Sequence, residues 1–183
     1  MWIIIIIIVL LVLLVLYGIS VYNKLVNSKN KVENQFSQVD IQLKRRADLI
    51  PNLVETVKGY TKHEEETLTK VIEARNKAVS AGSINEKVDA NNELTGALNK
   101  LFMLSESYPD LKANENFMSL QNDLTETEDK ITYARQFYND SAMDFNNIVE
   151  MFPSNIIADM FKFKKFEYFK IDEKEKETPK VKF

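Results

Sequence analysis

The side chains with the widest chemical range in this chain are a single histidine, His63, and the acidic residues, and cysteine is absent. Without cysteine, the chain forms no disulfide, thiolate metal site or cysteine nucleophile. The stretch "KHEEE" lacks the second histidine of a HExxH zinc site, and a di-iron bundle needs two Glu-x-x-His motifs. We therefore predict no catalytic residue, no metal ligand and no cofactor, and interpret His63 as a solvated or capping residue.

Other reaction types also lack their motifs. The sequence contains no glycine-rich phosphate loop and no Gly-x-Ser-x-Gly elbow. The net charge of −3 gives no long-range attraction for nucleic acid. The carboxylates of Glu126 and Glu128 have the chemistry for acid-base work, but arginines are expected opposite them, and structural ion pairs are the simpler interpretation. We predict that the protein is not an enzyme and does not bind nucleic acid.

The amino-terminal stretch "MWIIIIIIVLLVLLVLYGISVY" has no charged side chain before Lys24. At about 1.5 Å per residue, such a helix reaches roughly 30 Å, enough to cross a bilayer. We predict a transmembrane anchor over residues 1–23, with Trp2 at one headgroup level and Tyr17 and Tyr22 at the other. A cleaved signal peptide is the alternative, but no basic residue precedes the apolar run, and the run exceeds about 15 residues.

The lysines near the span indicate its orientation. None precedes it, whereas Lys24, Lys29 and Lys31 follow it. Because positive charge is retained on the cytoplasmic side, we predict a single-pass protein with its amino terminus outside and its body in the cytoplasm. Three lysines make a modest bias, so an extracytoplasmic body is the alternative.

Beyond the anchor, apolar residues recur at spacings of three and four, which is typical of helices. One apolar stripe runs from Val32 to Val57 and is interrupted by one charged residue, Arg46. A second apolar stripe runs from Phe117 to Ile148. The sequence also predicts where these helices begin and end. The expected boundary signals are Gly59 as a left-handed cap, capping boxes of Thr61 with Glu64 and of Ser83 with Glu86, and a break at Pro109. Short helices are therefore predicted over residues 62–81 and 84–105.

The pattern predicts an all-α fold. An amino-terminal transmembrane helix is followed, over residues 24–151, by an antiparallel up-down four-helix bundle with two long and two short helices. After it comes an amphipathic aromatic and basic segment over residues 152–170, and the charged stretch 171–183 is predicted to be a disordered tail.

Four stretches carry a resemblance to a known family: "QVDIQLKRRADLIPNLVETVKGYTKHE", "YPDLKANENFMSLQ", "ARQFYND" and "FPSNIIADMF". In this order, after an apolar span, they resemble the LemA family of bacterial membrane-anchored proteins, and the similarity extends to about Phe169. The resemblance implies an all-helical bundle on a single anchor in the bacterial cytoplasmic membrane. It implies no reaction, because the biochemical role of the family is not generally settled.

Helix geometry predicts which charges of the two long helices meet. If the first leaves the membrane at Lys24 and the last returns near Glu150, residues at equal height have numbers that sum to roughly 174. The resulting ion pairs are Arg46 with Glu128, Arg45 with Asp129, and Asp40 with Arg135. A buried arginine without a partner would be very costly, so we expect these pairs to form and to fix the register of the helices.

Pro51 interrupts the first stripe. It cannot donate a hydrogen bond to the carbonyl of Ala47 and disfavours regular helix before it, so we predict a kink that lets the helix wrap the core. The alternative is that the kink and the "KRR" run over residues 44–46 form a docking surface for an acidic partner.

The segment 152–170 has the composition of a membrane interface. Pro153 is expected to end the last long helix and Ser154 to cap a short new one. The predicted interfacial residues combine aromatic and basic side chains: Phe161, Lys162, Phe163, Lys164, Lys165 and Phe166. The alternative is a lid that closes the open end of the bundle.

Two functional classes follow. The first is a membrane-anchored scaffold or adaptor, with the lipid bilayer and an unidentified protein as partners and with helix faces that leave room for self-association. The second is a sensor-like module that binds a small ligand or senses the state of the envelope. An accessory subunit of an enzyme is a third interpretation that the sequence leaves open.

Overall fold

The computed structural model of the chain describes residues 1–61 and 64–169, and all regular structure in that part is helical. The helices follow in the order α1 (Trp2–Lys58), α2 (Glu65–Ser80), α3 (Ile84–Ser105), α4 (Pro109–Lys112), α5 (Glu115–Glu150) and α6 (Ser154–Met160). The all-α prediction is confirmed. His63 and the tail predicted over residues 171–183 lie outside the described residues.

α1 joins two elements that were predicted separately, the anchor and the first bundle helix. It is one helix of 57 residues, and Pro51 lies inside it without ending it. From Trp2 (80% exposed) to Tyr17 (45% exposed), every residue is exposed, and an 18-residue window reaches a mean hydropathy of 3.4. By length and composition, α1 is able to cross a membrane.

The start of α3 is set by local hydrogen bonds. The hydroxyl of Ser83 accepts a hydrogen bond from the backbone N–H of Glu86 at 3.2 Å, and the Glu86 carboxylate accepts one from the backbone N–H of Ser83 at 3.0 Å. This is the predicted capping box, and α3 spans the predicted residues.

The predicted helix caps between α1 and α2 are wrong. Thr61 donates its hydroxyl to the carbonyl of Val57 at 3.1 Å, so its side chain takes part in the last turn of α1. α2 begins at Glu65, and Glu64 before it makes no side-chain cap bond. Gly59 does not take the left-handed conformation either.

Two further boundaries differ from the predictions. Pro109 does not only break the chain but begins the one-turn helix α4, because proline suits the first turn of a helix. Ser154 is not a cap but the first residue of α6, and its hydroxyl donates to the carbonyl of Met151 at 2.8 Å.

The described chain divides into two compact units. Unit 1 consists of residues 1–37 and 136–168, and unit 2 of residues 38–135 and Phe169. The core of unit 2 includes Ile50, Leu53, Leu94, Leu98, Leu101, Leu111 and Phe117. The buried residues of unit 1 include Leu25, Val32, Tyr138, Ala142, Phe145 and Ala158.

Candidate functional site

Unit 2 contains a buried charge. Arg46 of α1 is 3% exposed, at the position that the apolar stripe assigns to the core. Its Nη1 contacts the carboxylate of Glu128 in α5 and donates a hydrogen bond of 2.7 Å to Oδ1 of Asn91 in α3. We call Arg46, Asn91 and Glu128 the polar seam, and it links three helices through side chains.

The electrostatics of the polar seam are those of a structural ion pair. Burial lowers the pKa of Arg46, the charge of Glu128 opposes this shift, and the nearby Arg135 adds to it. Arginine starts from so high a pKa that it stays charged. The Glu128 side chain is 32% exposed, so water reaches one end of the pair and reduces the cost of burying it.

The other predicted ion pairs have different surroundings. The carboxylate of Asp40 contacts Nζ of Lys87 in α3. The prediction considered only the two long helices and therefore left out Lys87, and the pairing of Asp40 with Arg135 stays a prediction. Arg135 places its guanidinium carbon 5.8 Å from the ring centre of Phe169.

The predicted partners Arg45 and Asp129 are both exposed. Arg45 lies near Glu126, whose pKa is lowered first by a hydrogen bond from Lys130 and then by the charges of Lys130 and Arg45. These groups belong to the solvated surface of unit 2.

Pro51 lies inside α1 and is exposed. Its missing N–H leaves the carbonyl of Ala47 without its usual helical donor. Nε of Arg75 in α2 donates to that carbonyl at 3.3 Å, so α2 supplies the bond that the proline removed. The kink at Pro51 stays a prediction.

A groove of about 320 Å³ in unit 2 lies among Asp40, Lys44, Asp48, Arg75 and Lys87. Its charges already have partners: Lys44 binds Asp48 at 3.0 Å, Lys87 contacts Asp40, and Arg75 donates to α1. The groove is therefore lined by both positive and negative side chains, and most of them already bind other groups of the protein.

Unit 1 contains an aromatic cluster, which we define as Tyr22, Phe145, Phe161, Phe163 and Phe166. The Tyr22 ring of α1 lies 4.6 Å from Phe161 and 6.0 Å from Phe163, measured between centroids. Phe145 of α5 lies 6.2 Å from Phe163 and 5.2 Å from Phe166. These distances and the tilted rings are typical of favourable aromatic pairs.

The backbone after α6 is held by neutral polar side chains. Asn146, 4% exposed, accepts a hydrogen bond from the N–H of Phe166 and donates one to its carbonyl, both at 2.9 Å. Tyr138 donates its hydroxyl to the carbonyl of Glu167 at 2.9 Å. Burial, with a smaller contribution from the charge of Glu167, raises the pKa of Tyr138 to about 12. We call residues 163–168 the terminal segment and Tyr138 and Asn146 its clamp.

The residues just before the terminal segment are exposed. Lys162 takes a left-handed conformation with φ of 59°, and the N–H of Phe163 bonds to the carbonyl of Ala158 at 2.9 Å, which ends α6. Lys162 and Lys164 are exposed, whereas Lys165 binds Glu150 at 2.6 Å. The predicted interfacial set thus includes packed rings, one paired lysine and two exposed lysines.

Sequence reasoning missed several of these polar contacts. Asn91 had a signal, because it falls three residues after Val88 and three before Leu94, on the inward stripe of α3. Asn146 and Lys87 had none, because each adjoins the apolar stripe of its helix without interrupting it.

Comparisons with known proteins found similar sequences over most of this chain. A model described as the LemA family matches residues 35–183. Protein LemA of Metamycoplasma hominis is 29% identical over 143 residues, covering 74% of this chain and 63% of that protein. Magnetosome protein MamQ 2 of Paramagnetospirillum magneticum is 24% identical over 174 residues, covering 81% of this chain and 64% of that protein. The chain thus spans less than two thirds of the length of these relatives.

Proposed function

Because this chain belongs to the LemA family, we propose that it is a non-enzymatic, membrane-anchored helical scaffold or adaptor of the bacterial cytoplasmic membrane. The observation that carries the proposal is the continuity of α1. One helix provides both an exposed apolar run long enough to span a bilayer and a stripe of buried residues ending at Val57. A protein built in this way holds its folded part at a membrane without a flexible linker.

The use of charge in the folded part supports a structural role. Arg46 and Glu128 link α1 to α5, and Lys77 binds Glu93 at 2.7 Å between α2 and α3. In the proposal, the helices form an antiparallel up-down four-helix bundle on a single-pass anchor, with the amino terminus outside. The matched relatives carry the names Protein LemA and Magnetosome protein MamQ, and one helical adaptor serving different assemblies is compatible with both.

Membrane topology is the first test, and the absence of native cysteine makes it clean. Trp2→Cys and Lys100→Cys place single thiols on two exposed residues, one at each side of the predicted anchor. A membrane-impermeant maleimide is expected to label Trp2→Cys in intact cells and Lys100→Cys only after permeabilisation. The reverse pattern would place the body outside and favour the sensor.

The adaptor role is tested by photo-crosslinking in cells from two exposed apolar positions of unit 2, Val79 and Met103. A scaffold is expected to give discrete adducts from at least one of them, either with a second copy or with another protein. The exposed Lys100 is the control position. If all three positions give the same weak and diffuse crosslinked products, the body presents no specific surface to another protein and the adaptor proposal fails.

The groove of unit 2 favours the sensor as a second candidate. Its volume of about 320 Å³ would admit a small zwitterion, whose two charges would replace the present pairs of Asp40 with Lys87 and of Lys44 with Asp48. Free amino acids provide the probe in a thermal unfolding assay of the full chain. A rise in midpoint that Lys87→Met abolishes would support the sensor, whereas no rise would leave the charges as structural pairs.

A further inference from the structure

The apolar side chains that follow α5 lie beside the end of the predicted anchor in unit 1. Phe152 lines a groove of about 650 Å³ together with Tyr17 and Lys24. The ring of Phe161 lies 4.6 Å from that of Tyr22. α6 also approaches Gly18, where an added Cβ would stand 3.6 Å from Cδ1 of Ile157. Three independent contacts therefore set α6 and its flanks against residues 17–24 of α1.

This part of α1 is where the headgroup region of the bilayer is expected. A hydrocarbon core of about 30 Å takes about 20 helical residues, so an anchor that begins at Trp2 leaves the core close to Tyr22. Tyr17 and Tyr22 are amphipathic aromatic residues of the kind enriched at this depth, and Lys24 is the first charge. α6 lies beside the same few residues.

Much of the exposed surface of α6 and its flanks is apolar, although the carboxylate of Asp159 also lies in an exposed residue of α6. Ala158 is fully buried and Ile157 is half-buried, whereas larger neighbours are open to solvent. Those exposed side chains are Met151 (62%), Phe152 (80%), Ile156 (53%), Met160 (66%) and Phe161 (53%). Single exposed apolar residues are ordinary, but five within eleven positions indicate a contact surface.

Positive charge borders this surface. Lys162 and Lys164 are exposed, and neither makes an ion pair with another described residue. Lys165 is not available, because it binds Glu150. Lys24 adds a third cation in the groove shared with Phe152. Apolar side chains bordered by lysine are the composition that binds anionic lipid at an interface.

We propose that residues 151–164 form a second membrane contact, which inserts its apolar side chains at the headgroup boundary and sets Lys162 and Lys164 against anionic headgroups. The partner is the lipid surface of the membrane that α1 enters, because the exposed surface is continuous with the anchor. This inference rests on the proposed anchor. The backbone carbonyls of Phe166 and Glu167 are held by the clamp, so the proposed contact ends before these two residues.

The test uses the full chain in nanodiscs of anionic phosphatidylglycerol whose acyl chains carry bromine near the headgroup. The native Trp2 is the single tryptophan, so its quenching in the unaltered chain reports insertion of the anchor. In a Trp2→Phe background, Phe152→Trp and Phe161→Trp report the proposed contact. Phe137→Trp is the matched control, because Phe137 is also an exposed phenylalanine (58%) of unit 1.

Phe137 is expected to lie away from the lipid. It stands thirteen residues before Glu150 in α5, about 20 Å along the helix axis. Its neighbour Tyr138 meets Phe36, fourteen residues beyond Tyr22 on α1. We therefore expect bromolipid to quench Phe152→Trp and Phe161→Trp at least about twofold and to leave Phe137→Trp unchanged.

The outcomes separate the two proposals. Quenching of Trp2 without extra quenching at positions 152 and 161 would overturn the second contact and leave the anchor standing. No quenching of Trp2 would overturn the anchor and, with it, this inference. Lys162→Glu with Lys164→Glu is expected to reduce the quenching of Phe161→Trp roughly twofold. Unchanged quenching in that variant would overturn the assignment of anionic headgroups.

Discussion

The two units bury polar groups in different ways. In unit 2, the polar seam places a charged guanidinium against a carboxylate and an amide, all from helices. In unit 1, the clamp uses a neutral amide and a neutral phenol, and both bind the backbone of a segment that is not helical.

The difference follows from what each unit must satisfy. Helices satisfy their own backbone, so side chains between them are free to pair with each other and specify which helix faces which. A non-helical segment brings unpaired N–H and C=O groups into a buried setting, and these require side-chain partners. The buried polar seam of unit 2 therefore pairs side chains with side chains, whereas the clamp of unit 1 pairs side chains with backbone.

The largest expected effect tests the charged side of this comparison. Glu128→Ala leaves Arg46 buried without its carboxylate, and we expect a loss of about 3 kcal/mol in the free energy of unfolding, since water reaches this end of the pair. Urea unfolding of the full chain in mild detergent, followed by circular dichroism, measures it. Glu126→Ala is the control and should change little, because Glu126 is exposed. Equal losses from both variants would contradict a special role for the polar seam.

The second prediction concerns the pH dependence of unit 1. In the folded protein the pKa of Tyr138 is about 12, against an ordinary value of 10.0. The contribution of Tyr138 to the free energy of unfolding is therefore fully present below pH 10 and is lost as the pH rises towards 12. The loss amounts to at most about 2.7 kcal/mol, at about 1.36 kcal/mol per unit. Unfolding free energies measured over this range should fall more steeply in the native chain than in Tyr138→Phe. Parallel curves would show that the phenol is not desolvated.

The third prediction tests the backbone role of Asn146. Asn146→Ala removes the side chain that binds both the N–H and the carbonyl of Phe166. We expect the amide hydrogen of Phe166 to exchange roughly 30-fold faster, equivalent to about 2 kcal/mol. Amide exchange followed by NMR measures it. The exposed neighbour gives a matched control, Asn147→Ala, which should leave the Phe166 amide unchanged. A similar acceleration in both variants would mean that Asn146 does not act through these bonds.

The smallest expected effect concerns a contact that shares features of both units. Arg75 is charged, but it binds the backbone carbonyl that Pro51 leaves open. Arg75→Met should cost about 1 kcal/mol of unfolding free energy or less, because the bond is long. In a Pro51→Ala background, the restored N–H can serve Ala47, and the cost should shrink. An unchanged cost would show that the proline and Arg75 are not coupled.

Local signals predicted the helices well and their partners poorly. The stripe through α5 predicted a helix that runs from Glu115 to Glu150, and Ser83 with Glu86 predicted the first residue of α3. Thr61 and Gly59 carried equally good capping signals that failed, because the last turn of α1 uses the Thr61 hydroxyl. A capping sequence does not say which of two adjacent helices it serves.

Ion-pair predictions show the same limit. The arithmetic of two long helices placed Arg46 opposite Glu128, where the structure has them in contact. It did not include Lys87 of α3, whose Nζ contacts Asp40. Height along an axis can be counted from residue numbers, whereas the direction in which a third helix approaches cannot.

The sequence by itself determined the helical class, the apolar run of α1 and the family of this chain, because hydrophobic period and motif order are properties of neighbouring residues. The tertiary structure decided that Asn91 and Lys87 join the charges of α1, that Arg75 serves the carbonyl left open by Pro51, and that Asn146 holds Phe166. Such partners are far apart in sequence. They are chosen by the packing of several helices at once, which no local pattern records.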